Sequence, residues 1–122
     1  MRSQQIFVID DDDDLRFTIA LSLREAGLAV EEFASADAAL PEVRARPPGA
    51  IMLDYRIEGM RAEDFVAHVR AQGADAPPIV LLSGTHDLGA LAARLGVFDS
   101  LGKPFDLDDL IGRARRALAH GR

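Results

Sequence analysis

Asp10, Asp11, Asp54, Ser83 and Lys103 are the side chains of this 122-residue chain best suited to act together, because each stands at the end of an apolar run. If those runs are neighbouring parallel strands, three carboxylates, a hydroxyl and an amine converge. Carboxylates crowded in a partly dry cleft repel one another and take up protons unless a hard divalent cation neutralises them. The set therefore implies a cation, and Mg2+ suits it best. That ion takes one or two carboxylates, keeps several waters and leaves a position for a phosphoryl oxygen. Lys103 would hold a second phosphoryl oxygen as a point charge, and Ser83 would donate a hydrogen bond to the third. One carboxylate is left to attack in an in-line displacement, and Asp54, closing a central run, is placed for it.

The elements that must position these groups are five runs: Gln5–Asp10, Leu28–Phe33, Gly49–Asp54, Pro78–Ser83 and Phe98–Gly102. The third and fourth are almost continuously apolar, as strands covered on both faces are, and should be central. The second carries two glutamates and the fifth mixes in polar residues, so both read as edge strands. Helices are predicted between and after them. Arg16–Ala26, with Ile19, Leu21 and Leu23, is stopped by Gly27, and Ala36–Arg46 follows Ser35 as N-cap and ends before Pro47. Glu63–Gln72, Leu88–Leu95 and Leu107–Ala119 complete the set. This alternation predicts a single α/β domain over residues 1–122, a five-stranded parallel sheet, doubly wound. Such sheets bind ligands beyond the carboxyl ends of their strands, where the five candidate residues lie.

With 48% hydrophobic residues the chain can bury one core without staples. Cysteine is absent, which excludes disulfides, thiolate metal sites and a cysteine nucleophile. A net charge of -6 disfavours direct nucleic-acid binding, although Arg113, Arg115 and Arg116 could form a local basic face. The first apolar run ends against aspartates and is too short for a signal peptide or a membrane span, so a cytoplasmic location is expected. His68, His86 and His120 share no metal-ligand spacing and read as surface residues.

The segments IFVIDDD, LDYRIEGM, VLLSG and KPF, in this order across the whole chain, resemble the receiver domain of two-component response regulators. The resemblance implies a flavodoxin-like strand order 2-1-3-4-5. It implies Asp54 as phosphoacceptor, with Mg2+ held by Asp11, Asp54 and the backbone carbonyl of Arg56, and by Asp10 mainly through water. Ser83 and Lys103 would bind the phosphoryl oxygens, and the Lys103–Pro104 peptide would be cis. Of the five aspartates, Asp12 to Asp14 are left as loop and helix cap. Gly84 would leave room for the donor, a histidine kinase or histidine phosphotransfer protein. The product would signal to a downstream protein, as a monomer or a phosphorylation-dependent homodimer, without being a turnover enzyme.

Some positions depart from that pattern. Ser100 stands where receivers often carry an aromatic residue whose inward swing reports phosphorylation, and the span from Ser83 to Lys103 is tight. Phe98 has the strand parity of Ser100 and is expected to supply part of the missing aromatic surface. Glu58 replaces a common proline. Arg56 adds a long cation at the rim, expected to tune acyl-phosphate lifetime or donor choice. Gly59 is expected in a turn with unusual backbone angles. Three rival readings fare worse. A non-phosphorylated docking module would not need the complete acidic, hydroxyl and lysine set. An aspartate-nucleophile phosphatase would want an acid at Arg56. A flavin module would want a hydroxyl- and glycine-rich phosphate loop where the aspartates stand.

Overall fold

The computed structural model describes residues 2–120. Strands and helices alternate: β1 (Ile6–Ile9), α1 (Asp13–Glu25), β2 (Val30–Phe33), α2 (Ala36–Ala45), β3 (Ala50–Asp54), α3 (Ala62–Arg70), β4 (Ile79–Ser83), α4 (Leu88–Leu95), β5 (Asp99–Gly102) and α5 (Leu107–Ala119). A 3-10 turn, Gly73–Asp75, precedes β4. The strands pair in parallel in the order β2-β1-β3-β4-β5. The two runs with mixed composition are the edges, as expected. Among the described residues no helix is long and apolar enough to cross a membrane.

Strand parity divides the core in two. Phe7, Ile9, Ile51, Leu53, Ile79 and Leu81 point to one face and pack under α2, α3 and α4, where Leu40, Val43, Phe65 and Val69 meet them. Ile6, Val8, Met52, Val80, Leu82 and Leu101 point to the other, against Ile19 and Leu23 of α1 and Leu110, Ala114 and Leu118 of α5. Every residue of β1, β3 and β4 is buried, so these three strands are fixed from both sides. Burial of this kind contributes about 25 cal/mol per Å2 of apolar surface, which makes the interior strands a rigid platform for whatever projects from their ends.

The helix starts depart from expectation in one informative place. α1 begins at Asp13 rather than Arg16, because the Asp12 carboxylate accepts hydrogen bonds from the N–H groups of Asp14 and Leu15 and caps the helix. Asp13 and Asp14 then lie in its first turn, where the helix dipole favours negative charge. The buried stripe of α1 runs through Ile19, Ala20 and Leu23, while Leu21 and Phe17 are exposed. Ser35 caps α2 through the Ala38 N–H, and this helix tolerates an exposed Pro41 within it. Ser83 does not cap α4, which starts five residues later at Leu88, after Asp87.

Candidate functional site

Because the strands are parallel, the residues that close β1, β3, β4 and β5 emerge at one edge of the sheet. Asp10 follows β1 and is fixed on both sides of its backbone. Its N–H donates to the Phe33 carbonyl at 3.1 Å, and its carbonyl accepts from Arg16 Nη1 at 2.8 Å. Asp54 is the last residue of β3 and only 5% exposed. Lys103, just after β5, reaches across β4 to place Nζ 2.9 Å from Asp54 Oδ1. The Lys103–Pro104 peptide is cis, as expected. One carboxylate oxygen from each of Asp10, Asp11 and Asp54 lies within 4.8 Å of the others. The three carboxylates and the amine are therefore brought together.

Burial is the main influence on Asp10 and pushes its carboxyl up to about 6. The Asp12 N–H on Oδ1 opposes this, Asp54 adds to it, Lys103 opposes and Asp11 adds. Asp10 Oδ2 is buried and has no hydrogen-bond partner among the described residues. A buried, unsatisfied carboxylate oxygen is expensive, and a hard cation relieves it. The donors offered are all oxygens, with two further carboxylates close by, so the residues present fit Mg2+.

Ser83 is 1% exposed and turned onto its own loop. Its Oγ accepts from the Thr85 N–H at 3.0 Å and donates to Thr85 Oγ1 at 2.8 Å. Gly84 between them is exposed, and a Cβ there would meet nothing within 4 Å, so the approach over this loop is open. Thr85 was missed in the sequence, although a hydroxyl two residues from another in a post-strand loop is a readable turn signal.

Arg56 is exposed at the start of the loop after β3. That loop is held from two directions. The Glu58 N–H donates to Asp11 Oδ2 at 3.1 Å, and the Met60 N–H donates to Asp37 Oδ2 at 3.2 Å. Gly59 has φ +82, as its expected turn requires, and a Cβ on it would lie 2.5 Å from Asp37 Oδ2. Next to Asp54, the Tyr55 hydroxyl donates to Glu63 Oε2 at 2.5 Å. That bond pushes the Tyr55 phenol up and holds the Glu63 carboxyl below its usual range. No local pattern marks Arg16, Asp37 or Glu63 as site supports, since their partners are distant or backbone groups.

The α5 cations do not form a free basic face. Arg113 pairs with Asp99 at 2.7 Å and donates to the Ser100 carbonyl, Arg116 approaches Asp99 at 3.7 Å, and Arg115 donates to the Ala26 carbonyl. Phe98 does not stand in for the missing aromatic beside Ser100. It precedes β5, with its N–H on the carbonyl of Ile79, the first residue of β4, so it sits at the sheet edge opposite Asp54. Its ring packs on His120, 4.7 Å between centroids. His68, His86 and His120 are all exposed, as expected.

The strand order and the acidic edge define a flavodoxin-like α/β domain with a cluster of three carboxylates at its strand ends. The chain belongs to the response regulator receiver domain family, which matches residues 6–115. It is 37% identical over 114 residues to the C4-dicarboxylate transport transcriptional regulatory protein DctD of Rhizobium meliloti strain 1021, covering 92% of this chain and 25% of that one. It is 36% identical over 117 residues to the transcriptional regulatory protein FixJ of Azorhizobium caulinodans, covering 95% and 56%. The crystal structure of the receiver domain of NtrX from Brucella abortus superposes with a TM-score of 0.85 at 31% identity, over 95% of this chain and 99% of that one. The chain thus spans about a quarter of the length of DctD and of the NtrC regulators it also matches. It is a receiver domain of two-component signalling.

Proposed function

We propose that this receiver accepts a phosphoryl group on Asp54 in a Mg2+-dependent reaction, from a phosphohistidine of a histidine kinase or histidine phosphotransfer protein. A carboxylate oxygen of Asp54 forms the new P–O bond while the P–N bond to the donor imidazole breaks, the nitrogen keeping the electron pair. Asp11, Asp54 and the Arg56 carbonyl would hold the ion directly, and Asp10 mainly through water. The bound cation would supply charge neutralisation at the phosphoryl oxygens. Lys103 transfers its grip from Asp54 to a phosphoryl oxygen, and Ser83 turns from Thr85 to donate to another. The single observation carrying this reading is the Lys103–Asp54 pair of 2.9 Å set within the trio of carboxylates.

The chain acts as a signalling element in the cytoplasm and passes its phosphorylated state to a downstream protein, rather than turning over substrate. Incubation with Mg2+ and acetyl phosphate or beryllofluoride, with Asp54→Asn alongside, tests the reading by mass spectrometry and NMR. Wild type should be modified only with Mg2+, and Asp54→Asn not at all. Lack of any Mg2+-dependent change in wild type would overturn it.

A further inference from the structure

The loop after β1, which carries Asp10 and Asp11, and the loop that follows Asp54 are joined by a hydrogen bond from one backbone N–H. Asp11, on the loop after β1, is exposed, yet its Oδ2 accepts the Glu58 N–H from the loop after β3 at 3.1 Å. Each loop is also anchored on its own side, the first by Arg16 on the Asp10 carbonyl and the second by Asp37 on the Met60 N–H. We propose that the backbone N–H of Glu58 is a positioning group for the cation-binding carboxylate of Asp11, an inference that rests on the functional reading above. An exposed aspartate otherwise samples several rotamers, and a hydrogen bond from a fixed N–H to the ionised carboxylate selects one. A carboxylate oxygen accepts more than one partner, so this bond leaves lone pairs for the ion. Asp11 is thereby held within ligand reach of Asp10 and Asp54 before any cation arrives.

The Glu58 side chain is exposed and takes no part in that bond, so most residues at position 58 would serve equally. Proline is the exception, because it has no N–H. The proline that the receiver resemblance leads one to expect here could not make the contact, which makes the clasp a property of this chain's own sequence.

The test is the pair Glu58→Ala and Glu58→Pro. Mg2+ titration is followed by fluorescence of Tyr55, the single tyrosine in a chain without tryptophan, and urea unfolding is measured without Mg2+. Glu58→Ala should bind Mg2+ as wild type does, and Glu58→Pro should bind roughly three- to tenfold more weakly, as for loss of one charge-assisted hydrogen bond. Equal affinities for the two variants, or a fall in stability without a fall in affinity, would sink the proposal alone. Should proline distort the loop, the Glu58 amide resonance gives a second readout: Asp11→Ala should shift it upfield and speed its exchange, and an unmoved resonance overturns the clasp. Wild type that binds no Mg2+ would instead remove the functional reading, and the proposal with it.

Discussion

Lys103 Nζ and Asp54 Oδ1 form an ion pair of 2.9 Å that joins the loop after β5 to the end of β3 across the intervening β4. It sets a positive charge directly against a cluster of three carboxylates. Replacing it with a neutral side chain of similar length, Lys103→Met, leaves a nearly buried Asp54 beside Asp10 and Asp11. Lys103 is 28% exposed, which moderates the loss expected for a broken buried pair to about 1–2 kcal/mol. Urea unfolding without Mg2+ should show that loss, and saturating Mg2+ should recover part of it.

Asp10 provides a pH signature in the metal-free protein. Its folded-state value of about 6 lies above the ordinary 3.8, so the native state holds the proton more tightly than the unfolded chain. Its contribution to stability is therefore greatest below about 4 and declines as pH rises through about 6. Asp10→Asn should unfold at higher urea than wild type at pH 7, and the difference should shrink towards pH 4. A gap that widens on acidification would contradict the sign.

Arg16 makes three contacts from one largely covered guanidinium: the Asp10 carbonyl at 2.8 Å, Asp13 at 2.7 Å and Glu32 at 3.5 Å. Arg16→Ala should destabilise by about 1–2 kcal/mol, mainly through the carbonyl left without its donor. Arg16→Lys should restore part of the loss, since an ammonium can reach one or two of these oxygens but not all three. Thermal unfolding of the three proteins gives the comparison.

Gly59→Ala combines two penalties, a left-handed backbone angle of +82 and a Cβ 2.5 Å from Asp37 Oδ2. The backbone term alone is about 1–2 kcal/mol. In a double-mutant cycle with Asp37→Ala the steric part should vanish and the backbone part remain, so the coupling energy should be clearly non-zero. Additive effects would mean that the carboxylate swings aside freely.

The sheet and its reactive edge were legible in the sequence because both depend on local pattern. Runs such as IMLD and IVLLS are buried on both faces, and their last residues necessarily share an edge once the strands are parallel. Leu88–Leu95 and Leu107–Ala119 were legible to the residue because apolar spacing changes sharply at both ends. The start of α1 was not, since a run of identical aspartates hides which one caps. Here Asp10 and Asp11 face the site, Asp12 caps, and Asp13 pairs with Arg16. Leu21, an apolar residue of the same helix, is exposed, and Ala20, the smaller residue, is the one turned inward. What binds the site loops together was illegible for a different reason. The Glu58 N–H carries no side-chain signature, and Asp37 and Arg16 act over distances that only the folded chain closes.

Ser100 has no ring to swing, and the strand around it is gripped from α5: Arg113 holds both the Ser100 carbonyl and Asp99, with Arg116 reaching the same carboxylate. That corner is thus fastened by charge. Charge attraction between partly exposed groups weakens as ionic strength rises, whereas packing does not. Salt becomes a dial on how firmly α5 grips β5, and ionic strength sets the hold on that corner of the domain.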